Sequence, residues 1–176
     1  MSTVKIRLDG VSSLEKKLDS LSGLPTGRAV GEGIAYVRAV AKSNCPTYDG
    51  ELRASILTSV QEHQGGTEGT CYTNKQYGPY VEFGTGPRGQ ADHTGISPEI
   101  AISYNQSPWW IHESQLDANV AEHYNWFYID TPDGRFYRCS GQAAQPFLYP
   151  ALKDNEDKVT NIIRDELKKE IRRLVK

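Results

Sequence analysis

The strongest constraint on the fold comes from the C-terminal end of the chain. Val159, Ile163, Leu167, Ile171 and Leu174 recur at steps of three and four, with Ile162 and Val175 beside them. That period places them on one face of an α-helix. The predicted helix runs from roughly Ala151 to Val175 and would be about 35 Å long. Such a stripe must be covered by a sheet or by another subunit, since a lone helix in water is marginal. Lys168, Lys169, Arg172, Arg173 and Lys176 make its tail basic, but Glu166 and Glu170 interleave with them. That mixture favours cations placed at a helix C-terminus over a nucleic-acid contact.

Upstream, Val4, Ile6 and Leu8 alternate with Lys5 and Arg7, which predicts a short strand or extended segment. Ser12 and Glu15 form a capping box for a first short helix carrying Val11, Leu14, Leu18 and Leu21. Val30, Ile34, Val37 and Ala41 mark a second helix, which stops near Asn44 because Pro46 turns Cys45 away from helical geometry. Gly31 and Gly33 each cost about 1 kcal/mol in its interior, so packing must offset them or a neighbouring backbone must come close. Asp49 to Ser55 reads as a polar turn and a short helical piece. A strand follows from Ile56 to Gln61, then a turn at Gly65-Gly66 and a partner strand at Thr70 to Thr73.

Tyr77 to Phe83 fits either a strand or a helical turn. Gly84 to Asp92 is glycine-rich and is expected to be a mobile loop. Within residues 93–125, Leu116 to His123 could form a short helix, and Trp109, Trp110, Trp126 and Phe127 need cover. Thr131-Pro132-Asp133-Gly134 is a strong turn signal between Phe127–Asp130 and Arg135–Cys139, predicting a second hairpin. Gln142 to Pro150 is a connection punctuated by prolines. The order of elements argues for an α+β domain, with a mainly antiparallel sheet packed against a long helix and the long C-terminal amphipathic helix.

At 176 residues the chain fits one domain. It can bury roughly 70% of its unfolded surface, so it needs neither disulfide nor metal to fold. Its hydrophobic fraction of 38% is low, and ten tyrosines and three tryptophans offset this with rings that bury area and keep a polar edge. A net charge of −2, with both signs interspersed, gives no sign of a nucleic-acid binder. Cys45, Cys71 and Cys139 have no CxxC or zinc-like spacing and read as free thiols in a reducing compartment. The segment Met1 to Asp9 lacks a signal-peptide core, and no apolar run approaches membrane-spanning length. Synthesis in the cytoplasm, with no membrane contact, is the expectation.

Chemical motifs mostly fail on inspection. His112-Glu113 opens like HExxH, yet Leu116 stands where the second histidine belongs. Asn119 to His123 resembles HxxEH with Asn119 in place of the first histidine. Zinc needs three actual protein ligands, so a hydrolase or metalloprotein using His112, Glu113, Glu122 and His123 is only a remote alternative. Gly84, Gly86 and Gly89 match GxGxxG, but positions 104–109 hold no carboxylate for a ribose and Pro87 argues against a following helix. Asn105-Gln106-Ser107 is a sequon in form only. No catalytic, metal or cofactor site is expected.

Three stretches together resemble one family. Cys45-Pro46-Thr47-Tyr48-Asp49-Gly50-Glu51-Leu52-Arg53-Ala54-Ser55-Ile56 is similar to a P-x-x-x-G-x-L-R-x-S-I segment that follows the long helix. Tyr77-Gly78-Pro79-Tyr80-Val81-Glu82-Phe83-Gly84-Thr85 is similar to Y-A-x-Y-V-E-x-G-T. Ala144-Gln145-Pro146-Phe147-Leu148-Tyr149-Pro150-Ala151-Leu152 is similar to A-x-P-F-L-x-P-A-L, leading into a C-terminal helix. In this order they resemble the family of gene product ten of phage Hong Kong 97, neck and tail-component proteins of long-tailed bacteriophages and prophages. The resemblance covers residues 1–85 and 140–176 and leaves 86–140 as an insertion in a single domain of residues 1–176. Gly78-Pro79 and Tyr48 depart from the usual pattern.

The resemblance implies a non-enzymatic virion protein made in the bacterial host cytoplasm. It would be a head-tail connector or tail-completion subunit forming a ring at the head-to-tail junction; a tail terminator or other minor tail protein is the alternative. Its partners would be copies of itself and adjacent neck or tail proteins, with DNA passing through the channel without sequence-specific binding. Tyr80, Glu82, Gly84, Thr85, Trp109 and Trp110 are the candidate subunit-interface residues. Arg53, Pro146, Phe147 and Pro150 form a candidate structural motif: the two prolines fix the backbone on either side of Phe147, which would plug the core. Arg53 and Glu82 are candidate ion-pair partners.

Overall fold

In the computed structural model, residues 23–47, 50–116 and 125–174 are described, together with Lys16. The expected N-terminal strand, the Ser12–Glu15 capping box and most of the expected 116–123 helix lie outside the described residues. In chain order the elements begin with helix α1 (Gly27–Asn44), short helix α2 (Glu51–Ala54) and strands β1 (Ile56–His63) and β2 (Gly66–Thr73). Helices α3 (Gly78–Phe83) and α4 (Gly86–Ala91), strand β3 (Trp109–His112) and a 3-10 turn (Glu113–Gln115) follow. Strands β4 (Tyr128–Thr131) and β5 (Gly134–Cys139) and helices α5 (Tyr149–Lys153) and α6 (Glu156–Leu174) complete the order. The fold class is α+β.

The described residues cluster into two compact units. One gathers residues 23–38, 58–71 and 155–174. Here the apolar stripe of α1 supplies the core, with Ala29, Ile34 and Val37 buried. Gly69 of β2 sits over α1, where a Cβ would meet Val30 Cγ1 at 2.8 Å and Ile34 Cβ at 3.2 Å. Gly33 faces α6: a Cβ there would lie 2.9 Å from Ile163 Cγ1 and 3.3 Å from Val159 Cγ1. The cost of that glycine is therefore the condition for two helices to approach closely, against side chains rather than a backbone. Gly31 has no such reason, since the nearest atom to its Cβ position is Val60 Cγ2 at 4.0 Å.

The C-terminal helix differs from the expected continuous element of residues 151–175. Turn residues Asp154 and Asn155 separate α5 from α6, and Asp154 N–H closes back on Pro150 O at 3.0 Å. The periodic stripe begins only at Val159, so nothing apolar holds the helix continuous across the polar 154–157 run. At 19 residues α6 is about 28 Å long. Its stripe is half-buried through Val159, Ile162, Ile163 and Leu167 and becomes exposed at Ile171 and Leu174.

The second unit holds residues 39–47, 50–57, 72–116 and 125–154. Its buried residues include Ala41, Leu52, Ile56, Phe147 and Ala151. A three-stranded antiparallel sheet has the order β3-β5-β4. Strands β4 and β5 form the hairpin expected from the Pro132-Asp133 turn, with Thr131 opposite Gly134 and Tyr128 opposite Tyr137. Strand β3 pairs with the other edge of β5, from Trp109 opposite Cys139 to His112 opposite Phe136.

Candidate subunit-interaction surface

The expected mobile loop at Gly84–Asp92 is an ordered helix-bearing segment instead. Pro87 occupies the first turn of α4, where its missing N–H costs nothing. The chain around α4 is clasped by the segment 140–145. Thr85 N–H donates to Gln142 O at 2.9 Å and Gln142 N–H returns to Thr85 O at 3.1 Å. Arg88 N–H reaches Ser140 O, Ala144 N–H reaches Asp92 O, and Gln145 N–H reaches Val81 O. These backbones meet so closely that Gly84, at φ 75°, would place a Cβ 2.7 Å from Ala144 N and 2.8 Å from Gln142 O. Glycine is the residue that tolerates both the left-handed φ and the contact.

Glu82 is the one buried charged residue of the described chain. Its Oε2 accepts the N–H groups of Phe147 (2.7 Å) and Leu148 (3.0 Å), and its Oε1 accepts that of Tyr149 (2.9 Å). Those donors open α5, whose N-cap residue Leu148 has no side-chain acceptor to offer. The expected pairing with Arg53 is thus replaced by three backbone donors, and Arg53 is exposed. Phe147 is fully buried between half-buried Pro146 and Leu148, and Pro150 lies in the first turn of α5.

Beside this clasp lies an open groove of about 890 Å³. It brings together Tyr80, Gly84, Thr85 and Trp109 of the six interface candidates; Glu82 and Trp110 are not in its lining. Phe83, Ile102, Tyr104 and Gln142 join them, and no Asp, Glu, Lys, Arg or His side chain lines it. Tyr104 is fixed by its hydroxyl donating to Phe83 O at 2.8 Å and by His93 stacked on its ring. Burial pushes the Tyr104 phenol up from its ordinary range. Gln142 Nε2 donates to Tyr80 O at 2.7 Å, fixing the rim. The sequence around Tyr104 offers only a two-residue alternation from Ile102 to Asn105, which does not single it out.

Trp109 and Trp110 are consecutive in β3, so their side chains leave opposite faces of the sheet. Trp109 faces the groove. On the other side, Trp110 packs against Phe127 with ring centroids 6.2 Å apart, and these two remain 46% and 65% exposed. His112 is tied into the turns around it. Its Nδ1 accepts from Ser114 N–H, which places the ring proton on Nε2, and Nε2 donates to Asp133 O at 2.9 Å. Glu113 Oε1 accepts from Arg135 N–H at 3.1 Å. Both residues are engaged in holding the 3-10 turn against the β4–β5 turn, and Glu122 and His123 lie outside the described residues. Among the described residues no three metal-ligating side chains come together. Arg135 Nε also donates to Asp130 Oδ1 at 2.7 Å, a bond that holds the guanidinium still more firmly protonated, with Arg135 stacked over Tyr128.

Among the described residues no helix is long and apolar enough to cross a membrane. No curated protein and no solved structure matches the chain. Over residues 12–84, from before α1 to the end of α3, the chain matches the HK97-gp10-like family, described as "Bacteriophage HK97-gp10, putative tail-component", and this match supports a phage tail- or neck-type component.

Proposed function

We propose that this protein is a structural subunit of a long-tailed phage or prophage virion, a head-tail connector or tail-completion protein that assembles into a ring at the head-to-tail junction. The observation that carries the reading is the family match over residues 12–84. Surface chemistry agrees with it. Large apolar side chains stand open on the second unit, including Tyr80, Trp110 and Phe127, and patches of that kind mark contact surfaces. Among the described residues the one buried charged side chain, Glu82, is engaged in holding backbone together.

In this role the partners are copies of the chain and adjacent neck or tail proteins. A ring of identical subunits uses two different surfaces that meet head to tail. Net charge of −2 suits a channel that lets DNA slide without gripping it. Residues 86–140 form an insertion within one domain that adapts the shared fold to its own neighbours. The test is to probe purified particles of the parent phage with an antibody and locate the label by electron microscopy. Label at the junction or tail supports the assignment. Particles without the protein refute it.

A further inference from the structure

We propose that the uncharged groove beside α3 and α4 is the acceptor for the Trp110–Phe127 face of a second copy of this chain. This rests on the self-assembly reading and deepens it by assigning the two complementary surfaces. The groove walls are aromatic and apolar, from Tyr80, Phe83, Tyr104 and Trp109, and hold no ionisable group other than tyrosine. A charged ligand finds no counter-charge there, and an aromatic side chain finds stacking surface. The matching donor stands on the same unit: Trp110 and Phe127 form a tilted aromatic pair, 46% and 65% exposed. Arg138, opposite Trp110 on β5 and exposed, offers a cation that can sit over a tyrosine of the neighbour's groove rim.

Geometry makes the neighbour a copy in head-to-tail contact. Trp109 lines the groove and Trp110 belongs to the donor pair, and adjacent strand residues leave opposite faces of a sheet. Donor and acceptor therefore point away from each other within one chain. A chain cannot fill its groove with its own Trp110–Phe127 pair, and each copy that docks presents a fresh groove on its far side. That is a heterologous arrangement, which gives a ring when the rotation between neighbours closes. Groove and donor are held by rigid pieces: the 140–145 clasp on one side and the β3–β5 ladder on the other.

Two surface variants of the full chain test it, Tyr80→Ser in the groove rim and Phe127→Ser in the donor pair, with Trp110→Ser repeating the donor arm. All three side chains are exposed, so folding is retained, and circular dichroism verifies this. Association is followed by sedimentation velocity across a concentration series. Each substitution is expected to raise the apparent dissociation constant about tenfold or more, as truncating a central aromatic does. Mixing Tyr80→Ser with Phe127→Ser must then give a one-to-one dimer and nothing larger, because that pair retains one intact interface. Variants that each self-associate as tightly as the wild type would overturn the groove assignment and leave self-assembly standing. A wild-type chain that stays monomeric at the highest concentrations would overturn the groove contact, while detection of the protein in virions would still uphold the neck reading. A groove that binds an unrelated peptide with copies failing to compete for it would overturn the choice of occupant.

Discussion

Glu82 and Phe147 are 65 residues apart in the chain, yet the carboxylate of the first accepts the backbone N–H of the second at 2.7 Å. The same carboxylate takes the next two N–H groups, so one side chain on α3 caps the start of α5 and seats the fully buried Phe147 ring. Hydrogen bonds to a charged acceptor are roughly twice as strong as neutral ones, and here three share one buried group. Glu82→Gln keeps the shape but turns an amide N–H₂ toward backbone donors. The expected loss is about 2 kcal/mol, and Glu82→Ala, which leaves the donors without an acceptor, should cost more. Urea unfolding followed by circular dichroism measures both. Equal stability of Glu82→Gln and wild type would show that the cap is dispensable.

Two glycines of α1 should respond to alanine with opposite signs. At Gly31 the nearest atom to a new Cβ is 4.0 Å away, so the substitution gains helix propensity, about 0.5–1 kcal/mol. At Gly33 the new Cβ would lie 2.9 Å from Ile163 Cγ1. Pushing α6 aside costs about 1–3 kcal/mol, which exceeds the propensity gain. Thermal melts of Gly31→Ala and Gly33→Ala should therefore bracket the wild type. If both variants rise in Tm, the α1–α6 contact is looser than the structure shows.

Gly84 and Gly141 are held by backbone on both counts, conformation and space. Gly84 has φ 75° and Gly141 has φ 79°, and a Cβ on Gly141 would overlap Thr85 O. Neither neighbour can swing away as a side chain would. Alanine at either position is expected to cost about 3 kcal/mol or more and to loosen the clasp between residues 81–92 and 140–145. Amide hydrogen exchange reads this locally: protection of Thr85, Arg88 and Gln142 should fall. Unchanged protection at those three amides would contradict the clasp.

How much of this was open to a reader of the sequence depends on where each signal lay. Helix α1, the β1–β2 hairpin and the β4–β5 hairpin announce themselves because their periodicity and turn residues are local. Helix α4 does not, since Gly86, Pro87 and Gly89 argue against a helix, and its partners, segment 140–145 with Tyr104 and Trp109, are distant in the chain. Strand β3 is four residues long and owes its existence to β5, some 25 positions later. The break at Asp154-Asn155 was visible as polarity, but the stripe beginning at Val159 drew the helix too far back. Glu82 was found as a residue that matters, with the wrong partner. A carboxylate bonded to backbone N–H groups leaves no mark in the identity of the residues it serves. Of the groove, Tyr80, Gly84, Thr85 and Trp109 were legible, and Tyr104 was not, because its role is defined by the carbonyl of Phe83.

The thiols give a prediction that couples burial to pH. Cys45 and Cys139 are buried, and burial pushes both thiols up from their ordinary value of 9.0. Arg53 pulls Cys45 back slightly, and the Gly141 N–H, which donates to Cys139 Sγ at 3.4 Å, does the same for Cys139. Each folded thiol keeps its proton at pH values where the unfolded chain has released it. Their stabilisation is therefore complete below pH 9 and is lost as pH rises from about 9 through the raised folded values. Tyr104, also pushed up by burial, adds a loss of the same sign from about pH 10. Unfolding free energies measured at intervals from pH 7 to 10.5 should fall at the alkaline end, and Cys45→Ala should flatten that fall. A parallel titration with a disulfide reagent should show the half-buried Cys71 reacting first in the folded chain, with Cys45 and Cys139 following only in urea. An alkaline slope identical in wild type and Cys45→Ala, or three equally fast thiols in the native chain, would mean that these sulfurs are not sealed in the core.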